Sequence, residues 1–248
     1  MKSRFLLILS IISVLIVTTG CSTKKINDVN MSSATVNKNE LNSQNLNKEF
    51  PFPLIDSSEV KNISSKTDST SDVTKEYNDL GEMVKFSNAI FEGEVVNVAY
   101  FDKNGLTCTK YSVKISNVLS GKLKKDDVVN VIEQGGITTA YNRIQLYGKE
   151  KEFPNISEED SKKQYVQVNW NGTPLSVVGD KVLLLAYQDT QNNWNLPKDY
   201  YYAVGYKAGK FNITGSDVER KIRPNEGNNL FKMSKENLNT EIKKHITK

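Results

Sequence analysis

The chain has 248 residues, of which 38% are hydrophobic, and a formal net charge of +4. The apolar share is low for a globular chain, and the polar excess is concentrated before residue 76, which leaves material for one folded domain. Lysines are interspersed with Asp and Glu without a basic stripe, so no nucleic-acid partner is expected.

Lys2 and Arg4 precede an apolar run from Phe5 to Val17, and Thr18-Thr19-Gly20 leads from it to Cys21. That is the three-part layout of an export signal. The run is shorter than the ~20 residues of a spanning helix. Its ending resembles the lipobox of bacterial lipoproteins, with Gly20 as in that family and Thr18 where leucine is usual. The resemblance implies a signal peptide over 1–20 and a diacylglyceryl group on the Cys21 sulfur. Cleavage would then make Cys21 the first mature residue. Two or more acyl chains hold a protein stably on a bilayer. The expected location is the extracytoplasmic face of the cell membrane, with the Cys21 lipid as the membrane contact. Loss of Lys2 and Arg4 leaves a mature charge of 4 − 2 = +2.

An alkylated Cys21 cannot form a disulfide with Cys108, the other cysteine. Cys108 is expected to be a small, half-buried strand residue on the wetter parity. The single histidine, His245, lies far along the chain, so no zinc ligand set is present, and no metal or cofactor is expected.

Residues 21–75 predict a lipid-anchored, disordered linker. Asn, Ser, Thr and Lys dilute its few apolar residues below what can offset ordering entropy. Fifty such residues span about 40 Å as a coil. Within the linker, Phe50-Pro51-Phe52-Pro53-Leu54-Ile55 is expected to pack on the folded domain or to be extended filler, with a docking motif as the alternative.

The domain, 76–248, opens with a short helix over 76–89, carrying Leu80, Met83 and Val84 on one stripe. Phe91–Tyr100 follows as a strand, and Asp102-Lys103-Asn104-Gly105 as a hairpin turn. From Thr107 to Leu119 the pattern alternates. Tyr111, Val113, Ile115 and Leu119 are expected in the core, with Lys110, Ser112, Lys114 and Ser116 in water. Val128–Glu133 is a third strand, stopped by Gly135-Gly136. Residues 137–174 show no regular pattern, and Glu158-Glu159-Asp160 within them is expected on a solvated face rather than at a calcium ion. Val182–Ala186 is continuously apolar, the mark of a strand buried on both faces. Tyr200–Tyr206 and Gly209–Thr214 are expected to form a hairpin. Ser234 is placed to cap a closing amphipathic helix bearing Leu238 and Ile242. The fold class is therefore mainly β: a small barrel or sandwich with a short preceding helix and a C-terminal helix.

Four stretches carry a further resemblance: FSNAIFEGEVVNV, YSVKISNVLSGKLKKDDVVNVIEQGG, VGDKVLLLAYQ and YYYAVGYKAGKFNI. Together they are similar to exported β-domains of Gram-positive bacteria and to OB-like barrels of the netrin and metalloproteinase-inhibitor type. That inhibitor family acts through an N-terminal cysteine within a disulfide framework. This chain has neither near Phe86, so protease inhibition is not implied.

No catalytic signature is present, and an enzyme is not expected. Serine-type catalysis needs an oriented base, and His245 lies on a polar helix. Glu92 and Glu94 share strand parity, about 7 Å apart from strand geometry, which is the one paired-carboxylate candidate. Aromatic residues gather in the C-terminal third. Of Tyr200-Tyr201-Tyr202, one parity is expected in the core. The other makes Trp194, Tyr200 and Tyr202 a candidate binding surface. The expected function is a lipid-anchored, non-enzymatic binding or cell-envelope interaction module, meeting a cell-wall glycan or a protein. The alternatives are an envelope hydrolase using strand carboxylates and a structural lipoprotein without ligand.

Overall fold

A long hairpin organises the domain. β3 (Ala89–Lys103) and β4 (Leu106–Ser120) run antiparallel over 15 residues each. Asn104 (φ 47°) and Gly105 (φ 80°) join them, the two positive φ values that a type I′ turn requires and that Asn-Gly adopts at low cost. The structure, a computed structural model, describes residues 50–69, 77, 79–191, 195–196, 199–220 and 232–247. Pairing shifts register at three places in the hairpin, one beside Gly93. A Cβ there would lie 2.5 Å from the Lys114 carbonyl oxygen, so only glycine allows this close approach.

β4 pairs with β5 (Val128–Gln134), and β5 runs parallel to β9 (Tyr201–Ala203). β9 is antiparallel to β8 (Lys181–Gln188), which pairs back onto β3 from Ala89 to Glu94. The order β3-β4-β5-β9-β8-β3 is thus a closed ring, an OB-like barrel whose third and fifth strands are parallel. The expected barrel is present, but the expected hairpin after Tyr200 is not. β9 and β10 (Lys210–Thr214) lie one after the other along the same edge of β8. They act as one strand interrupted by an excursion over Val204–Gly209, whose ends are bridged by the Gly209 amide donating to the Val204 carbonyl at 2.8 Å. β11 (Asp217–Glu219) and β12 (Lys232–Ser234) extend this edge.

The 137–174 region, featureless in sequence, builds a second sheet. β6 (Gly136–Thr139) pairs with β7 (Tyr165–Trp170), and β7 runs parallel to β2 (Ile63–Ser69). α2 (Ala140–Tyr147) and α3 (Glu158–Lys163) lie between β6 and β7 in sequence. Glu158 and Glu159 pair at i,i+4 with Lys162 and Lys163 on the surface of α3.

The expected linker boundary at residue 75 is corrected by β1 (Ile55–Asp56), which pairs with β3, and by β2. Residues 50–69 belong to the domain because the second sheet supplies hydrogen-bond partners that the polar β2 sequence does not advertise. The linker residues 21–49 and the signal, Cys21 included, lie outside the described residues.

Parity sorts the apolar side chains between three cores. Val182, Leu184 and Ala186 face the barrel interior with Phe91, Tyr111, Val113 and Val131. Leu183 and Leu185 face outward. There α1 (Leu80–Phe86) and α4 (Lys235–Ile246) cover them with Met83, Val84, Leu238 and Ile242. The expected burial of this strand on both faces is observed. α1 is shorter than the expected 76–89, since Ala89 already pairs with Ala186. Asp79 and Ser234 cap the two helices by accepting from the Glu82 and Asn237 amides.

The third core corrects part of the expected wet face of β4, whose Lys114 and Ser116 are exposed as expected. Lys110 and Ser112 are buried, and Cys108 is 1% exposed rather than half-buried. Phe50, Phe52 and Leu54 lie over this outer face, against Phe101, Cys108, Ile132, Leu196, Tyr200 and Tyr202. The Phe50 ring sits 4.8 Å from that of Phe101 and 5.6 Å from that of Tyr200. The aromatic-proline segment thus packs on the domain as expected. Tyr200 and Tyr202 are buried, so they form no exposed platform: this strap covers the face they occupy. Trp194 lies outside the described residues.

Asp102 fastens the hairpin tip to the second sheet. Its carboxylate accepts from Thr107 Oγ1, Tyr147 Oη, Thr138 Oγ1 and Asn142 Nδ2 at 2.6–2.8 Å. Removing this shared acceptor takes it from all four donors and leaves Thr107 and Tyr147 only their mutual contact at 3.0 Å. Asp102→Ala is expected to cost about 2–4 kcal/mol in urea unfolding; a loss within ordinary surface-mutation range would show the contact to be dispensable. Burial pushes the Cys108 thiol up to about 12, and Asp102 adds to the effect. The native protein is therefore expected to resist thiol reagents at pH 8 and to react when unfolded, and rapid native labelling would contradict this burial.

Candidate functional site

Glu133 ends the inward-facing row of β5 that begins with Val129 and Val131, so the strand's own alternation places a carboxylate in the barrel. Its side chain is 1% exposed. Such a charge needs both counter-ions and hydrogen bonds. Tyr111 Oη donates to Glu133 Oε1 at 2.7 Å, Ser176 Oγ to Oε2 at 3.2 Å, and Lys210 Nζ lies 3.0 Å from Oε1. The Lys210 ammonium also donates to Ser176 Oγ and lies 5.3 Å from the Tyr111 ring centre. Burial works to raise the Glu133 pKa, but Lys210, Lys207 and the Tyr111 hydroxyl outweigh it and hold the group below its ordinary value. The same carboxylate, together with burial, pushes Tyr111 well up.

Lys207 is different in kind. It sits in the Val204–Gly209 excursion, yet its side chain is 1% exposed. Its Nζ lies 3.7 Å from Glu133 Oε2, an ion-pair separation beyond hydrogen-bond range. Among the described residues it has no hydrogen-bond partner. Burial pulls its pKa down to about 8, with Glu133 opposing and Lys210 reinforcing the shift.

These groups border a cavity of about 130 Å³. Lys207, Lys210 and Asn212 line it from the interrupted strand, and Thr173–Leu175, Val177 and Asp180 from the segment between β7 and β8. Pro174 and Val177 are exposed at its rim. Asp180 Oδ2 is engaged by the Val177 amide at 2.9 Å. Three of the lining residues carry a buried polar atom without a hydrogen-bond partner among the described residues: Lys207 Nζ, Thr173 Oγ1 and Asn212 Oδ1. Buried polar atoms are nearly always partnered, so three on residues around one cavity need a physical explanation.

The expected site residues do not assemble here. Glu92 is buried and held by α4, with Lys235 Nζ at 3.1 Å and Asn239 Nδ2 at 2.8 Å, whereas Glu94 is exposed. They keep the expected shared parity on β3, whose pairing with β8 runs unbroken from Ala89 to Glu94, but α4 covers Glu92 and leaves Glu94 in solvent. Tyr200 and Tyr202 serve the outer core. Sequence inspection passed over Glu133, Lys207 and Lys210. Glu133 carried one signal, an ionisable residue continuing an inward apolar row; the lysines carried none, because the excursion hides their parity. Among the described residues no cluster of three or more His, Cys, Asp or Glu is placed to hold a metal ion, and no helix is long and apolar enough to cross a membrane. No known protein family, curated protein or solved structure matches the chain.

Lys210 neutralises Glu133, while Lys207 is a surplus buried cation. At Lys207 the cost of burial exceeds what Glu133 returns, since its pKa falls, so replacing it with an apolar side chain is cheap, whereas removing the main counter-ion of a buried carboxylate is costly. Lys207→Met is therefore expected to hold or raise stability at pH 7 by about 1–2 kcal/mol, and Lys210→Met to lower it by about 3–5 kcal/mol. The folded lysine titrates near 8 and the unfolded one near 10.5, so between these values the unfolded chain binds more protons and wild-type stability gains. Any advantage of Lys207→Met should accordingly shrink as pH rises from 8 toward 10. Urea unfolding across pH checks both; a Lys207→Met variant less stable than Lys210→Met would make Lys207 a structural counter-ion.

Proposed function

We propose that this chain is a lipid-anchored, extracytoplasmic binding module, without catalytic activity of its own, whose ligand site is the cavity lined by Lys207, Thr173 and Asn212. The observation that carries the binding reading is a cavity of about 130 Å³ with three lining residues that each hold a buried polar atom without a hydrogen-bond partner among the described residues. A folded protein tolerates such groups when another molecule completes their hydrogen bonds. Mouths of small β-barrels are common ligand sites. The location rests on the export-signal layout and on Cys21 at its end, and the partner on the outer side is a soluble small molecule of the envelope space rather than the flat aromatic contact that exposed tyrosines would have offered.

Catalysis has less support. Glu92 is committed to Lys235 and Asn239, and Glu94 faces solvent, so the strand carboxylates do not share a pocket.

Two measurements separate the parts of this proposal. Metabolic labelling with a palmitate analogue is expected to mark the wild type and not Cys21→Ala; equal labelling would refute the anchor. A small-fragment titration followed by amide NMR is expected to shift Thr173, Lys207 and Asn212 saturably. Shifts confined to other surfaces would remove the cavity as the ligand site.

A further inference from the structure

The outer face under the Phe50–Leu54 strap has the composition of a surface rather than of a core. The outward parity of β4 places Lys110 and Cys108 there, and β3 adds Phe101 and Lys103. Lys110 is 2% exposed and Lys103 9%. Lysine is seldom so deeply buried, and burial lowers the pKa of both. Aromatic rings of the strap lie over the two ammonium groups. Lys110 Nζ is 5.6 Å from the Phe50 ring centre and Lys103 Nζ 5.9 Å from that of Phe52, within cation–π range.

The strap is attached lightly. Its pairing with β3 starts only at Ile55, and Pro51 and Pro53 upstream have no amide N–H to donate. Side chains hold it instead. Phe50 and Phe52 grip the Phe101 ring at 4.8 Å and 5.7 Å between centres, and Phe50 meets Tyr200 at 5.6 Å. Phe50, Phe52 and Leu54 are half-buried, and both prolines are exposed. A segment held by rings, on a face that carries charge, can lift away while β1 and the closed barrel stay paired.

Aromatic-lined grooves that take proline-containing segments are a recurring mode of peptide recognition, and proline reduces the entropy such a segment loses on binding. We propose that this face is a docking groove for a segment of a partner protein in which two aromatic residues flank a proline, and that Phe50–Leu54 occupies it in cis as a built-in competitor. The partner's rings take the places of Phe50 and Phe52 around Phe101. The ammonium groups of Lys103 and Lys110 favour aromatic faces and disfavour a basic segment. A segment joined directly to its groove competes at an effective concentration on the order of millimolar, so the chain alone keeps the groove closed. The groove shares no residue with the lining of the cavity, so it is a second binding surface and its test is independent of the first.

The probe is a peptide with the sequence of residues 47–56, NKEFPFPLID. Its binding is followed by amide NMR on the full chain in detergent micelles, with Phe50→Ala/Phe52→Ala as the chain whose groove is emptied. The peptide is expected to shift Phe101, Lys110 and Tyr200 saturably in that variant and to bind the wild type at least tenfold more weakly. The same peptide with alanine at both phenylalanine positions is expected to shift neither chain. If the double variant loses its amide dispersion, Phe50→Ala alone carries the comparison; unfolding of both would make the strap part of the core and overturn the proposal. No saturable shift in a folded variant would overturn the groove. Equal affinity for the wild type would overturn the competitor role, and equal binding of the alanine peptide would overturn aromatic recognition. Sedimentation of the wild type is expected to show a monomer. A dimer that the double variant loses would make the strap of a second copy the occupant and overturn the partner protein.

Discussion

From Ala89 to Glu94, β3 is hydrogen-bonded on both edges, to β4 on one side and β8 on the other. That double pairing closes the barrel, and most of the remaining structure follows from it. A closed ring gives every strand one face turned to an interior that water does not reach. The outer faces must then be either wetted or covered. Here α1 and α4 cover one part, and the Phe50–Leu54 strap covers another. Strand closure also removes edges that would otherwise pair with other chains.

Closure sets the cost of the polar groups inside. Glu133 is brought into the interior by the parity of β5, and Tyr111, Ser176 and Lys210 converge on it from β4, from the segment before β8, and from β10. Partners from three different parts of the chain make the arrangement a tertiary device. A carboxylate so held stabilises the fold only while its partners remain. Lys207 adds less to that balance than Lys210, and its position at a cavity wall is the point where the molecule departs from the most stable packing of its own groups. Such departures are where function is usually placed.

The strap has a mechanical consequence. Phe50 and Phe52 clasp Phe101 and Tyr200 directly at the start of the described chain. Among the described residues this aromatic contact therefore belongs to the domain together with β3. The covered tyrosines are the residues whose exposure the sequence left open, and the covering segment comes from more than a hundred residues earlier.

Much of the fold was legible from local pattern. The Asn104-Gly105 turn, the double-sided burial of Val182–Ala186 and the Ser234 cap follow from backbone sterics and alternation, which act over a few residues. The expectation of an export signal ending at Cys21 likewise rests on a local pattern. The site was not legible, for a stated physical reason. Alternation tells which side chains share a face but not what covers that face, so Lys110, Ser112 and Cys108 looked wet and Tyr200 and Tyr202 looked available. The pattern also fails across an interruption: the Val204–Gly209 excursion resets parity, and two lysines that resemble turn residues end up inside the barrel. By itself the sequence determined the turns, the caps and the β-rich class. Only the tertiary structure decided that β9 and β10 are one strand, that a distant aromatic strap seals the outer face, and that Lys207, Thr173 and Asn212 meet at one cavity, because each depends on contacts between segments that no local preference connects.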